Sequence, residues 1–73
     1  MEEKLKKIFT EVFQIDSVEV NFKSSAETIQ KWDSLGHLRL VNAIEQAFKI
    51  QLTTQEIMEM CNFQKVIEIL EQR

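Results

Sequence analysis

Three residues in the segment Lys31-Trp32-Asp33-Ser34-Leu35-Gly36-His37-Leu38 could do chemistry, namely Asp33, Ser34 and His37. Ser34 follows an aspartate and opens the most strongly helical run of the chain. A helix N-terminus offers free backbone N–H groups and the positive end of the macrodipole, and both suit a phosphodiester. A hydroxyl exposed there has little internal packing to oppose modification. Ser34 and His37 are three apart and could lie on neighbouring helical turns. A serine–histidine pair also needs a group that orients the base, an oxyanion hole and a cleft. Seventy-three residues with one glycine offer little room for these, so no intrinsic catalysis is expected. His37 is expected to face solvent. Cys61, the only cysteine, is expected to be a small, partly buried filler rather than a nucleophile. From the residues alone, plain helix capping is the first reading of Asp33 and Ser34.

Composition sets the frame for these side chains. The length fits one domain, residues 1–73, with a marginal core. One cysteine excludes an internal disulfide, and a single histidine argues against a structural zinc site. Proline is absent and glycine occurs once, which disfavours turn-rich β folds. Leu, Ile, Glu, Gln and Lys dominate and favour helix. The net charge is −3, and Lys4, Lys6, Lys7 and Lys23 make no dense basic stripe, so no nucleic-acid partner is expected. The first residues lack the apolar run of a signal peptide, and no stretch approaches a membrane span. A soluble, cytoplasmic monomer is the expectation.

The apolar pattern then predicts an all-α bundle of three main helices, one short helix and a long first loop. Leu5, Ile8, Phe9, Val12 and Phe13 mark one face of a helix from about Glu2 to Gln14. Residues 16–33 read as a long loop. In it Val18, Val20 and Phe22 are expected to be pinned on the helices, Ser24–Ile29 to form a helical turn, and Ile29 and Trp32 to pack inward. Asp33 is a good N-cap for a second helix, Ser34 to Phe48, with Trp32 as the apolar half of a staple. Its core face holds Leu40, Val41, Ile44, Ala47 and Phe48, and its outer face Gly36, Arg39, Asn42, Gln46 and Lys49. Leu35 and Leu38 lie towards the polar side near Ser34. Thr53-Thr54-Gln55-Glu56 matches a capping box for a short helix from about Thr54 to Met60, burying Ile57 and one of Met58 and Met60. Asn62 caps a last helix, Phe63 to Gln72, with Phe63, Val66, Ile67 and Leu70 as its apolar stripe.

The segment Trp32-Asp33-Ser34-Leu35-Gly36-His37-Leu38 resembles the attachment motif of acyl carrier proteins, which centres on Asp-Ser-Leu at the start of the second helix. The resemblance covers nearly the whole chain. Length, helix order, long first loop, short third helix and the Ala43–Ile50 end of helix two all correspond. It implies that the Ser34 hydroxyl accepts 4′-phosphopantetheine from coenzyme A through a separate phosphopantetheinyl transferase. Asp33 is then the motif acid that helps present Ser34 to that enzyme. The arm's thiol carries an acyl or aminoacyl group as a thioester, loaded by a ligase and passed to an acyltransferase or synthase, as in fatty acid or polyketide biosynthesis.

Two departures from the family pattern bear on partners. Members commonly show an acidic face on helix two, whereas Gly36 and Arg39 stand at the candidate acid positions here, and Glu45 remains. Docking is therefore expected through Leu35, Leu38, Arg39 and Asn42 with a mixed-charge rim. Carrier modules of peptide synthetases usually have two glycines before their Asp-Ser. Lys31-Trp32 in that place points to a free-standing carrier. The alternative is a helical protein–protein interaction module without a prosthetic group.

Overall fold

A computed structural model describes residues 2–73. The chain is all-α: α1 (Glu2–Phe13), α2 (Ser34–Phe48), α3 (Thr54–Glu59) and α4 (Phe63–Glu71), with one 3-10 turn at Ser17–Glu19. Among the described residues the only β pairing is an isolated bridge between Ser25 and Asn62.

α1 and α2 pack together and end in the same way. Each stops at a left-handed residue that is not glycine, Gln14 at φ 56° and Lys49 at φ 55°. The next residue, Ile15 or Ile50, turns back to donate to Thr10 O (3.3 Å) or Glu45 O (3.1 Å) and packs on the core. This satisfies carbonyls that the helix end leaves free. It also removes Gln14 from the predicted first helix.

Phe9 is the hub of the core. Its ring meets Phe13, Trp32 and Phe63 edge-on at 5.5, 5.3 and 4.9 Å, and so joins α1, the long loop and α4. Edge-to-face contacts of this kind add roughly 0.5–1.5 kcal/mol each beyond the area they bury. Leu5, Leu40, Ile44 and Val66 fill the space around them.

The long loop holds itself by short-range hydrogen bonds. Ile29 N donates to Ser25 O at 2.8 Å, closing the predicted helical turn, and Ile29 and Trp32 are buried as expected. Ser24, which no sequence pattern singles out, is buried: its hydroxyl donates to Glu19 O and accepts from Asn21 N. The loop is tied to α4 by Phe63 N donating to Ser24 O at 2.8 Å.

Several expectations need correction. Val20 is pinned inward, but Val18 is exposed and Phe22 is half-exposed against Phe63 at 6.1 Å. Val18 lies in the 3-10 turn, none of whose residues is buried. Val12, Ala47, Phe48 and Ile57 are only partly buried. Lys4 Nζ sits 4.8 Å above the Phe48 ring and covers it. α3 ends at Glu59, and α4 at Glu71, with Gln72 as its C-cap.

Gly36 is the largest departure, because it is buried rather than on the outer face of α2. A Cβ there would lie 2.0 Å from Lys31 O and 3.2 Å from Phe13 Cε1. The chain before α2 therefore crosses directly over Gly36, which only glycine permits.

Candidate functional site

α2 begins where the sequence predicts. Asp33 is extended at the N-cap and its carboxylate accepts the Gly36 N–H at 2.8 Å. The first helical residue, Ser34, is exposed, and the Ser34 and Leu35 N–H groups have no acceptor within the helix.

Ser34 stands at the edge of an open, mostly apolar groove of about 720 Å³. The loop supplies Ser25, Ala26 and Glu27. The start of α2 supplies Trp32, Asp33, Ser34, His37 and Leu38, and the chain after α3 supplies Met60 and Cys61. A smaller dent of about 110 Å³ lies on the other side of the helix start. Lys31 and Arg39 line it with Val12, Asp33, Leu35 and Gly36. The helix end thus has an apolar groove on one side and two cations on the other.

His37 does not face solvent. It is half-buried, its Nδ1 accepts the indole N–H of Trp32 at 2.9 Å, and its Nε2 lies 2.8 Å from Ile57 O. The staple expected of Trp32 therefore closes on an imidazole. With both nitrogens engaged, His37 has no lone pair to act as a base for Ser34.

Cys61 is exposed on the groove rather than partly buried, while its neighbour Met60 is buried. Met60 is buried, as one of the two expected methionines, and Met58 is exposed; that Met60 and Ala26 line the groove is what the sequence reading missed. No local pattern marks them, since they reach the site only through the packing of α3 and the loop.

The outer face of α2 presents Leu35 (57% exposed), Leu38 (62% exposed), Arg39 and Asn42 within one arc of the helix. Glu45 is half-buried, and its carboxylate accepts the Leu52 N–H at 2.9 Å across the α2–α3 connection. It is a structural acid and not a free one. Among the described residues no group of three His, Cys, Asp or Glu side chains could hold a metal ion. None of the described helices is long and apolar enough to cross a membrane.

No family model and no curated protein matches the chain. Among solved structures it is similar to the solution structure of a holo acyl carrier protein from Geobacter metallireducens. The two chains are 30% identical, with a TM-score of 0.86, over 97% of this chain and 82% of that one. The fold is that of a carrier and not of an enzyme. The capped, exposed serine at the start of α2, the long first loop and the short α3 are thus set in a known scaffold, and the chain belongs to the acyl carrier protein family.

Proposed function

We propose that residues 1–73 form a single carrier domain that holds an acyl or aminoacyl group on a 4′-phosphopantetheine arm attached to Ser34. The observation that carries this reading is Ser34 itself. It is exposed, it follows a formed N-cap, and it stands at the edge of an apolar groove.

The residues present suit such a group. The Ser34 and Leu35 N–H groups and the helix dipole favour a phosphate at the Ser34 oxygen. Lys31 and Arg39 add positive charge on the adjoining side. Asp33 keeps the first turn wound by holding the Gly36 N–H, and serves as the motif acid for transferase recognition. When bound, the arm would supply a thiol that carries the cargo as a thioester. The groove offers Ala26, Leu38 and Met60 as apolar walls beside it.

The partners in this reading are a phosphopantetheinyl transferase, a loading ligase and a downstream acyltransferase or synthase, in fatty acid, polyketide or related biosynthesis. The cytoplasm is the compartment and a monomer the working form. Docking uses Leu35, Leu38, Arg39 and Asn42. With Glu45 engaged, the exposed charges on α2 and at its C-cap are Arg39 and Lys49, so the complementary surface carries carboxylates. Such pairing sets register and association rate more than affinity.

The test is intact mass after incubation with coenzyme A and a broad-specificity transferase, with a known carrier as positive control. Wild type should gain one phosphopantetheine and Ser34→Ala none. No gain in wild type, with the control modified, returns the chain to the interaction-module reading. Arg39→Glu should slow charging by the cognate ligase, and unchanged charging removes Arg39 from the docking face.

A further inference from the structure

His37 lies one turn beyond Ser34 in the groove, and its two contacts determine its tautomer. An indole N–H only donates and a carbonyl oxygen only accepts. The bonds to Trp32 Nε1 (2.9 Å) and Ile57 O (2.8 Å) therefore both exist only when the proton is on Nε2 and Nδ1 is bare. The two rings are nearly parallel, 14° apart with centroids at 6.2 Å. Trp32 is held in turn by Phe9 and Phe13, at 5.3 and 5.4 Å. A rigid line of contacts thus runs from the aromatic core, through indole and imidazole, to the backbone of α3.

α3 has few other ties. None of its six residues is fully buried, and its capping box is internal to it. Glu56 pairs with Arg73 on its outer side. A helix this short does not persist in water by itself.

We infer that His37 is a positioning residue, a single-tautomer strut between Trp32 and Ile57 that holds α3 against α2 and sets the width of the groove beside Ser34. The inference rests on the carrier reading only for what occupies the groove. Cargo lying in the open groove leaves the strut intact, and an apolar chain passing between α2 and α3 has to displace it.

The test uses the unmodified full chain, so it can fail independently of the transferase experiment. Two-bond ¹H–¹⁵N correlation should show Nε2 protonated and Nδ1 bare in wild type. His37→Phe keeps a ring and removes both nitrogens. It should speed amide exchange in α3 about fivefold or more relative to α4, the effect of losing the net worth of a hydrogen bond. His37→Gln restores one acceptor and one donor flanking a single carbon, as in the imidazole, and should hold α3 exchange within about twofold of wild type. An Nδ1–H tautomer in wild type, unchanged α3 exchange in His37→Phe, or equal loosening by Phe and Gln would each overturn the strut.

Discussion

The starts of α2 and α4 are built alike and end up doing different things. At both, an Asx residue in extended conformation accepts the N–H three residues on: Asp33 from Gly36 at 2.8 Å, and Asn62 from Lys65 at 2.7 Å. The first helical residue then differs. Phe63 is 2% exposed, meets Phe9 at 4.9 Å, and its N–H is taken by Ser24 O in the loop. Ser34 is exposed and borders the groove. A cap makes a helix end, but only an uncovered end is available to a partner.

Exchanging the first residues should break the comparison most strongly. Phe63→Ala removes a buried ring and should cost about 3–5 kcal/mol. That is a large part of the roughly 4–11 kcal/mol expected of a chain this size. Ser34→Ala should change stability by less than about 0.5 kcal/mol. Urea unfolding of the two variants measures the contrast, and equal losses would mean that the α2 start is as covered as that of α4.

The third residues sharpen it. α4 carries Lys65 at this position without conflict, whereas α2 carries Gly36 under the Lys31 carbonyl. Gly36→Ala must push that backbone away and should cost about 1–3 kcal/mol, read as a lower urea midpoint. A wild-type midpoint would show that the crossing relaxes freely.

The caps themselves should be nearly equal. Asp33→Ala and Asn62→Ala should each lose about 1 kcal/mol by the same measurement. A much larger loss at Asp33 would mean that it supports more than its own helix.

The smallest effect belongs to the third cap, at α3. The Thr53 backbone N–H, and next the Arg73 side chain, hold the Glu56 carboxyl below its ordinary pKa. A carboxyl lowered in the folded state stabilises above its unfolded value, and that contribution fades as pH falls through the folded value. Wild type should therefore lose more stability than Glu56→Gln between neutral and acid pH. Parallel profiles from urea melts at stepped pH would remove Glu56 from the acid limb.

Local signals located most of the elements. Asp33, the Thr53–Glu56 box and Asn62 mark three helix starts correctly, because a cap bonds residues two or three apart and so is written in consecutive letters. The 3.6-residue pattern identified the core faces of α1 and α4, while the expectation that every apolar residue of the loop is pinned inward failed at Val18. The Asp-Ser-Leu triplet stands at the start of α2, where the sequence places it.

The sequence by itself determined that the chain is helical, where α2 begins, and that a serine opens it. Tertiary structure alone decided that Gly36 lies under a crossing backbone, that Glu45 is engaged, that Cys61 is exposed and that His37 is bound on both sides. Each of these depends on a partner or covering group supplied by the packing of separate segments, such as the Ile57 carbonyl twenty residues beyond His37. Helix propensity and capping act over one turn of chain and are legible there. Burial and hydrogen-bond partners across the bundle exist only once the helices have closed on the Phe9 core.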